Sequence, residues 1–352
     1  MAEDDLPKIP GTPRLNRRWL LARRPQGLVS ADDFRLEEAF APRPGEGEFL
    51  VRNVYLSCDP TQRGWMAGNT YLPPVRIGEV MRSLAVGKVL ESNTSSFAVG
   101  QWVQGFFGWQ DYAVARPGGS CPPIAVPPGA NLESAMGVLG YTGWAAYFGL
   151  LEVGRPRAGE TVVVSAAAGA TGAVVGQIAK IKGCRAIGIA GGAEKCGYLT
   201  AELGFDAAID YKSENVVSRL RETCPRGIDV FFDNVGGRIL DAALVNLALR
   251  GRIVVCGAIS TYNEDTPALG PKNHLKLLVQ RGRMEGFLVL DYLERVDEAI
   301  AALSGWVREG KIKERVDVQR GLENAPSALA RLFQGENRGK QLLLIADPGA
   351  SG

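Results

Sequence analysis

Residues 161–182 read TVVVSAAAGATGAVVGQIAKIK, and this stretch decides the fold. The apolar run Thr161–Ser165 predicts a strand covered on both faces, and a helix is predicted after the small residues that follow. Gly169 and Gly172 hold the second and third glycine positions of the pattern G-x-G-x-x-G, and Ala167 holds the first. This order predicts a phosphate-binding turn, because a pyrophosphate can approach backbone that carries no side chain. The alternative is a tight turn in which small residues serve packing only.

The alternation of strand and helix continues as far as residue 310. Predicted strands lie at residues 184–190, 207–210, 228–233, 251–257 and 284–290, and predicted helices lie near residues 170–182, 194–203, 215–223, 238–249, 273–281 and 293–309. Apolar strands that each lead into a helix are typical of a parallel sheet with helices on both faces. We therefore predict an α/β fold in which residues 139–310 form a doubly wound parallel sheet.

The residues before this sheet follow a different pattern. Short alternating runs are separated by Gly, Pro and Asp clusters, at residues 48–56, 85–92, 101–107 and 109–115. Such runs predict a small antiparallel barrel or sandwich. Two more strands come after the parallel sheet and are expected to return to this first domain, near residues 312–318 and 341–346.

The domain boundaries follow from these patterns. We expect the first domain to span residues 19–138 and to be completed by residues 311–347. A connecting helical region is predicted at residues 131–149, where Asn131 precedes a plausible helix start. Residues 1–18 and the last five residues are expected to be loose tails.

Composition and charge restrict the class of protein. The chain has 352 residues with 40 basic and 38 acidic side chains, and a net charge of +2 does not favour nucleic acid as a partner. Six cysteines without a C-x-x-C pair favour reduced thiols in a cytoplasmic protein over a disulfide framework. Residues 134–151 and 161–179 carry no charge, but they are rich in Gly, Ala and Thr, so no membrane span is expected.

The end of the second strand of the sheet bears on the kind of dinucleotide. An enzyme that uses NAD places an Asp or Glu there for the ribose hydroxyls, whereas this strand ends in Ala190 and is followed by Gly191 and Gly192. Lys195 lies at the start of the next helix, where its cation suits the 2′-phosphate of NADPH. The alternative is a solvated helix lysine, which the neighbouring Glu194 keeps open. We predict NADPH as the cofactor.

Two further strand ends carry residues suited to the nicotinamide half of such a cofactor. They read DNVGG at residues 233–237 and CGAISTY at residues 256–262. Glycines there let a flat ring and a ribose approach the backbone, since ligands of open sheets bind at the strand ends. The alternative for each is ordinary turn chemistry.

The residues that are missing restrict the reaction. The chain has one histidine, His274, without a cysteine neighbour or a partner motif, so neither a zinc site nor a Ser-His-Asp or Cys-His system is expected. A reduced nicotinamide without a metal suggests hydride delivery to an electron-poor carbon whose charge relaxes onto oxygen, and that oxygen needs a donor. Tyr262 is the first choice for this donor, with Tyr55 and Tyr71 as alternatives from the first domain. The competing interpretation of each is a half-buried tyrosine with an ordinary hydrogen bond.

Eight motifs, taken in order, give the chain a resemblance to a known family. They are VYLSCDPTQRGWM, IGEVMRS, GWQDYAVA, AAAGATGAVVGQIAK, AGGAEKCGYLTAELGFDAAIDYK, FFDNVGG, CGAISTYN and GENRGK. From Trp19 to Ile345 they resemble the zinc-independent medium-chain dehydrogenase/reductases, in the branch of prostaglandin and leukotriene reductases, plant alkenal double-bond reductases and bacterial curcumin reductase. The resemblance implies a GroES-like barrel-type domain split around a Rossmann domain, NADPH as cofactor and a homodimer.

The resemblance also implies roles for individual residues. The implied cofactor-binding positions are Gly169, Ala170, Thr171, Gly172, Lys195, Tyr211, Asn234, Cys256, Ile259, Ser260, Tyr262, Phe287, Leu288, Val289 and Asn337. A substrate pocket is implied at Tyr55, Tyr71, Trp109 and Tyr262, with Tyr262 and Tyr55 as the catalytic candidates. Thr61, Gln62 and the proline-free segment 92–97 depart from the family pattern on the substrate side, so the family's substrates carry over less directly than its cofactor.

The activity that the resemblance implies is reduction of the carbon–carbon double bond of α,β-unsaturated ketones or aldehydes, with NADPH and without a metal. Two alternatives stay open. One is an NADPH-dependent quinone reductase of the same superfamily, and the other is a non-catalytic NADPH-binding sensor. An alcohol dehydrogenase would need a metal for which the sequence offers no ligand set.

Overall fold

The computed structural model describes residues 14–68, 70–264 and 269–349. Its strands are β1 (Leu15–Leu21), β2 (Phe34–Phe40), β3 (Phe49–Ser57), β4 (Ala85–Ser92), β5 (Trp102–Gly105), β6 (Tyr112–Ala115), β7 (Ile124–Ala125), β8 (Thr161–Ser165), β9 (Arg185–Ala190), β10 (Ala207–Asp210), β11 (Ile228–Asp233), β12 (Leu247–Val255), β13 (Arg283–Gly286), β14 (Val316–Arg320) and β15 (Lys340–Leu344). Its helices are α1 (Thr61–Ala67), α2 (Leu132–Met136), α3 (Tyr141–Phe148), α4 (Ala170–Ile181), α5 (Ala193–Gly197), α6 (Val216–Thr223), α7 (Gly237–Val245), α8 (Leu275–Gln280), α9 (Val296–Arg308) and α10 (Ala325–Gln334). None of the helices within these ranges combines the length and the apolar character needed to cross a membrane.

Residues 161–181 form β8, the turn after it and α4, and β8 lies at the centre of a six-stranded sheet. The strand order is β10-β9-β8-β11-β12-β13, and every neighbouring pair is parallel. β8 is buried along its whole length, as expected of a strand covered on both faces. From β8 the chain adds β9 and β10 on one side of the sheet, and it adds β11, β12 and β13 on the other side. Ligands of open sheets bind at the point between β8 and β11 where the strand order reverses in this way. The predicted doubly wound parallel sheet is confirmed.

Three predicted elements of this domain were wrong in their bounds. The strand predicted at residues 251–257 is β12, which begins at Leu247 and ends at Val255. The helix predicted to reach residue 249 is α7, which ends earlier because Leu247 is already buried and pairs with β11. The strand predicted at residues 284–290 ends at Gly286. From Phe287 onward the chain leaves the sheet edge and packs against the core, so its apolar pattern reflects burial and not strand pairing.

The first domain is built on a seven-stranded sheet. Its path is β14-β15-β3-β4-β5-β7, and β6 pairs with the beginning of β3. β15 lies antiparallel to β3, which brings the C-terminal strands into this sheet. β1 pairs with β2 from Leu15 onward, so this strand begins four residues before the predicted start of the domain. The sequence analysis also missed α10.

The connecting region joins the two domains through a common core. It forms α2 and α3, and the Asn131 side chain caps α2 by accepting hydrogen bonds from the N–H groups of Glu133 and Ser134. The largest apolar cluster runs from residues of the first domain, such as Val86, through Trp144 in α3 to the parallel sheet. This shared core fixes the cleft between the domains.

A buried charge pair fastens the last strand to the first domain. Lys340 begins β15 and is only 3% exposed. Its Nζ lies 2.6 Å from Asp59 Oδ1 and donates a second hydrogen bond to Ser57 Oγ. Removing one partner of such a buried pair costs about 3–5 kcal/mol, because the other charge is left without compensation. The pair therefore holds the segment before β15 beside the first domain.

Candidate cofactor and substrate site

The turn between β8 and α4 requires glycine at one position above all. A Cβ on Gly172 would lie 2.5 Å from the carbonyl oxygen of Ala166 and 2.9 Å from the Cα of Ala167. Helix α4 can therefore pack on the turn only where that residue has no side chain. Gly169 directly precedes the helix, and its backbone is bridged to Gly339 of the C-terminal segment. The positive end of α4 consequently faces the cleft between the domains.

Two adjoining cavities lie at this turn. The first is lined by residues 313–315 and 339–340 on one side and by the glycine turn on the other. The second is lined by Ala168, Glu194, Lys195, Tyr198, Arg315, Arg338 and Gly339. Ala170 and Thr171 form the first turn of α4 and are half-buried, and Ala170 lines the first cavity. The glycine turn and the C-terminal segment are thus opposite walls of one space.

Lys195 and Tyr211 lie beside the turn that ends β9. A Cβ on Gly191 would meet the Tyr211 hydroxyl at 2.9 Å, so the two strand ends are in close contact. Lys195 Nζ donates a hydrogen bond to the carbonyl of Gly335, 2.9 Å away. Burial and then the neighbouring cation of Lys212 lower the pKa of Lys195. Lys195 and Lys212 thus place two cations beside this turn, where they would attract a bound phosphate.

A buried network around Asp233 joins the ends of β8 and β11. The Asp233 carboxylate accepts hydrogen bonds from Ser165 Oγ at 2.9 Å and from the N–H groups of Val235 and Gly236. The Asn234 N–H donates to Ser165 Oγ, and Asn234 Nδ2 donates to the Ser165 carbonyl at 2.7 Å. Burial raises the pKa of Asp233. The network holds Asn234 at the strand ends where the nicotinamide half was predicted to lie.

The loop after β12 is tied to these strand ends. Ile259 and Ser260 form a short 3-10 turn, and Ser260 Oγ donates to the Val235 carbonyl at 2.6 Å. Burial raises the pKa of the Cys256 thiol to about 12, so this thiol stays un-ionised. The predicted cofactor residues of this loop therefore sit on a well-supported backbone beside β11.

Tyr262 is held by the same loop. Its hydroxyl oxygen accepts a hydrogen bond from the Ala258 N–H at 3.1 Å, and a Cβ on Gly257 would lie 3.1 Å from that oxygen. Burial raises the pKa of Tyr262, so the hydroxyl stays protonated at neutral pH. Because the bond from Ala258 uses only the oxygen, the phenolic hydrogen can be donated to a ligand.

The structure brings Tyr71 of the first domain to the same place. Its hydroxyl lies 2.6 Å from Thr61 Oγ1, and its ring packs edge-to-face on Trp65 with 6.3 Å between centroids. Burial raises the pKa of Tyr71, and the proximity of Tyr262 raises it further. Tyr71 is 42% exposed and is near enough to Tyr262 for the two hydroxyls to interact electrostatically, although the residues belong to different domains.

The other two aromatic residues predicted for the pocket have different surroundings. The Tyr55 hydroxyl donates to Glu133 Oε1 at 3.0 Å, and burial raises the pKa of Tyr55 to about 12. Trp109 is fully buried in the core of the first domain, with its ring 5.0 Å from that of Phe34. Its side chain offers no surface to a ligand, so the structure does not bring it to the Tyr262–Tyr71 pair.

The departures from the family pattern also differ in position. Gln62 is fully buried, where its Oε1 accepts from the Asp59 N–H and its Nε2 donates to the Arg82 carbonyl. This glutamine supports the loop after β3. Thr61, by contrast, contacts the Tyr71 hydroxyl and so borders the substrate side.

The remaining predicted cofactor residues come from two later segments. Phe287 follows β13 and packs edge-to-face on Phe232, with 6.3 Å between ring centroids. Leu288 and Val289 continue from it along the core, half-buried. Asn337 lies in the segment before β15, where its Nδ2 donates to a backbone carbonyl two residues on at 2.8 Å. This bond stiffens the segment that faces the glycine turn.

Sequence reasoning missed residues that the C-terminal strands bring to the cleft. The Arg315 guanidinium lies over the Tyr198 ring, 3.9 Å from its centroid, and both residues border both cavities. Arg338 Nη2 lies 3.0 Å from Glu194 Oε2, although the two residues are 144 positions apart. The motif GENRGK contained Arg338, but nothing in its spacing shows that it reaches the end of β9.

The histidine and the acidic residues form no metal centre in the part of the chain that the structure describes. No three His, Cys, Asp or Glu side chains there are grouped so that they could hold a metal ion. His274 directly precedes α8, and its Nδ1 lies 3.1 Å from the Pro271 carbonyl oxygen. His274 is thus a helix-start residue.

Comparisons with known proteins agree with this architecture. Residues 17–122 match a family model described as the N-terminal domain of oxidoreductase, and residues 170–305 match one described as zinc-binding dehydrogenase. The chain is 45% identical to NADPH-dependent curcumin reductase of Escherichia coli, over 94% of this chain and 97% of the relative. It is 42% identical to 2-alkenal reductase (NADP(+)-dependent) of Nicotiana tabacum, over 86% and 88%. The crystal structure of CurA from Vibrio vulnificus in complex with NADPH has a TM-score of 0.89 at 42% identity, covering 94% of this chain and all of that chain.

The chain belongs to the zinc-independent medium-chain dehydrogenase/reductases, in the branch that holds curcumin reductase, 2-alkenal reductase and prostaglandin reductase. The resemblance drawn from the eight motifs is confirmed. The second family model is named for zinc, but the described residues of this chain hold no group of ligands that fits the ion.

The close packing of α4 on the turn predicts that adding one methyl group at Gly172 will destabilise the protein. Gly172→Ala should lower the free energy of unfolding by about 1–3 kcal/mol, because the new Cβ overlaps the Ala166 carbonyl oxygen. Urea denaturation measures this change.

The matched control is Gly305→Ala in α9, where a Cβ meets nothing within 4 Å. Alanine's higher helix propensity should raise stability there by up to about 1 kcal/mol. Equal effects of the two substitutions would contradict the packing role of Gly172.

Proposed function

We propose that this chain is an NADPH-dependent reductase that reduces the carbon–carbon double bond of α,β-unsaturated ketones and aldehydes. The observation that carries the proposal is the hydrogen bond at Tyr262, whose hydroxyl oxygen accepts from the Ala258 N–H and so keeps its own hydrogen for a substrate oxygen. Relatives named as curcumin reductase, 2-alkenal reductase and prostaglandin reductase support it, and a 2-alkenal is itself an unsaturated aldehyde.

NADPH fits the residues around the cleft. The turn from Gly169 to Gly172 at the positive end of α4 suits the pyrophosphate, since Gly169 carries no side chain, and Lys195 with Tyr211 suits the 2′-phosphate. The remaining positions assigned to the cofactor are Asn234, Cys256, Ile259, Ser260, Tyr262, Phe287, Leu288, Val289 and Asn337. When bound, NADPH supplies the hydride that reduces the β-carbon of the substrate.

The role assigned to Tyr262 is to stabilise the negative charge that forms on the substrate oxygen. Its phenol donates a hydrogen bond to that oxygen, and the raised pKa keeps the phenol protonated as a donor. The α-carbon then takes a proton from solvent or from Tyr262. Tyr71 and Thr61 border the space in which the substrate would lie. Tyr55 is assigned to the lining of the pocket and not to the donor role, because its hydroxyl already donates its hydrogen to Glu133.

A panel of electron acceptors tests the proposal. Consumption of NADPH, with NADH in parallel, is measured against one conjugated enone, its saturated ketone and a simple quinone, and the products are identified. We expect turnover of the enone to the saturated ketone and a preference for NADPH, since Lys195 favours the 2′-phosphate. Turnover of the quinone alone would make the chain a quinone reductase. NADPH binding without turnover of any acceptor would make it a sensor.

The fold by itself does not choose between these enzymes. Quinone oxidoreductases of Pseudomonas syringae and Escherichia coli have the same fold, with a TM-score of 0.77 at 22% and 23% identity. Such a likeness carries the architecture only, since related chemistries share one fold. The panel is therefore needed to assign the substrate class.

Removal of one hydroxyl tests the assigned donor. Tyr262→Phe should lower kcat for the enone by about 10²-fold, the usual effect of losing one oxyanion donor. The matched control is Tyr147→Phe, which removes a hydroxyl bonded to Glu298 on an exposed part of α3. It should leave kcat unchanged. If Tyr262→Phe keeps the wild-type kinetics, another group stabilises the oxyanion, and Tyr71 is the next to substitute.

We also propose that two copies of the chain form a homodimer through the edge of the parallel sheet. Among the described strands, β13 pairs only with β12, so its outer edge is available to another chain. Large apolar side chains are exposed on the neighbouring elements, namely Leu249, Leu269, Leu275, Leu278, Val279 and Met284. A second copy that covers them would remove this apolar surface from water.

A charge placed in this apolar patch should separate the two copies. Leu278→Asp, at a side chain that is 76% exposed, should convert a dimer into a monomer, as measured by size-exclusion chromatography with light scattering. Phe40→Asp, at a 74% exposed side chain in β2, is the control and should leave the assembly unchanged. A wild-type monomer would refute the dimer, and a dimeric Leu278→Asp variant would refute this interface.

A cytoplasmic setting is proposed as well. All six cysteines are unpaired in the structure, at positions 58, 121, 184, 196, 224 and 256. Free thiols are typical of a reducing compartment, which supports this location.

A further inference from the structure

A carboxylate lies next to the cation assigned to the 2′-phosphate. Glu194 directly precedes Lys195 in α5, and both side chains line the second cavity. Glu194 lies in α5 and not at the end of β9, where an enzyme that uses NAD carries its carboxylate, but its negative charge beside Lys195 still repels a phosphate. A preference for NADPH therefore requires that the charge of Glu194 be compensated.

The compensating charge comes from the other domain. Arg338 Nη2 lies 3.0 Å from Glu194 Oε2, and the Arg338 side chain lines the same cavity. Arg338 belongs to the segment between α10 and β15, so this ion pair crosses the cleft. Both side chains are 62% exposed, and the pair is therefore within reach of a ligand that enters from solvent.

The backbone that carries Arg338 is fixed on both sides. The Arg338 N–H donates to Asp317 Oδ2 at 3.1 Å, and Lys195 Nζ donates to the carbonyl of Gly335 at 2.9 Å. Gly339 is bridged to the glycine turn before α4. The segment thus presents the guanidinium to α5 from a defined position.

We propose that Arg338 neutralises Glu194 and thereby determines the preference for a cofactor with a 2′-phosphate. This inference rests on the proposed NADPH function and names a residue outside the parallel-sheet domain as its specificity determinant. Arg338 acts on the cofactor indirectly, by compensating the charge of Glu194. It is therefore a positioning residue and not a catalytic one.

The other charged groups that act on this region have partners of opposite charge. Asp317 Oδ2 lies 3.0 Å from Arg331 Nη2. Arg315 Nη2 lies 3.0 Å from Glu202 Oε1, so these two charges balance. With Glu194 balanced by Arg338 as well, the cations of Lys195 and Lys212 remain to attract a phosphate. Without Arg338, the negative charge of Glu194 would offset one of them.

Binding of two small nucleotides to the full chain tests the proposal. Adenosine 2′,5′-bisphosphate carries the 2′-phosphate and adenosine 5′-monophosphate lacks it, and neither supports turnover. Their dissociation constants are measured by isothermal titration calorimetry at low ionic strength for the wild type, Arg338→Ala, Glu194→Gln and the double variant. Thermal melting of each variant verifies that it is folded.

The expected pattern has opposite signs for the two single variants. Arg338→Ala should weaken binding of the bisphosphate by roughly fivefold, the upper range for an exposed ion pair. Glu194→Gln should tighten it by a similar factor, and the double variant should bind as the wild type does. Binding of the monophosphate should stay within about twofold throughout, because the pair acts on the 2′-phosphate. High salt should shrink all of these differences.

A control variant removes the same kind of charge elsewhere. Arg116 Nε lies 2.7 Å from Glu48 Oε1, next to the beginning of β3 and so at the opposite end of that strand from Ser57 and Lys340. Arg116→Ala should leave both dissociation constants unchanged.

Two results would overturn the role of Arg338. One is a Glu194→Gln variant that does not bind the bisphosphate more tightly, and the other is a double variant that stays as weak as Arg338→Ala. Either would show that Arg338 does not act by neutralising Glu194. If the wild type itself does not prefer the bisphosphate over the monophosphate, the NADPH assignment fails, so the two failures are distinguishable.

Discussion

The packing of α4 onto the turn after β8 is the constraint on which the rest of the site depends. The Ala166 carbonyl leaves no room for a Cβ at Gly172, so the helix begins directly above the strand end. From that position its positive end faces the cleft, and the backbone at Gly169 reaches Gly339 of the C-terminal segment. Small residues in the turn therefore allow the helix to pack and also leave backbone open to a phosphate.

The proposed cofactor site is shared between two domains because the chain returns to its first sheet. The buried pair of Lys340 and Asp59 holds β15 beside β3. The segment just before β15 then contacts the glycine turn through Gly339 and α5 through Arg338. One short segment thus connects the phosphate end of the cleft with the domain that carries Tyr71. A shift of β15 relative to β3 should therefore affect the phosphate end of the cleft and the end that contains Tyr71 at the same time.

Tyr55 and Tyr262 differ in whether the hydroxyl donates or accepts its hydrogen bond, although burial affects the pKa of both in the same direction. Burial raises the pKa of both Tyr55 and Tyr262, so both hydroxyls are protonated at neutral pH. Tyr55 gives its hydrogen to Glu133, whereas Tyr262 accepts from the Ala258 N–H and retains its hydrogen. Only the second arrangement leaves a donor for a substrate oxygen. This difference in partners, more than any difference in pKa, supports the role assigned to Tyr262.

The amino-acid sequence by itself determined the parallel sheet. The runs Thr161–Ser165, Ala207–Asp210 and Ile228–Asp233 are strands with the predicted bounds, because an apolar run between turn residues is a local signal. The tertiary structure decided which partner each apolar or charged side chain has. Residues 287–290 pack on the core without pairing, Trp109 is enclosed in the first domain, and Arg338 meets Glu194 across 144 positions. Hydrophobic periodicity in the sequence indicates whether a side chain is buried or exposed. Which residue it contacts depends on the tertiary fold, because that fold brings together segments that are far apart in the sequence.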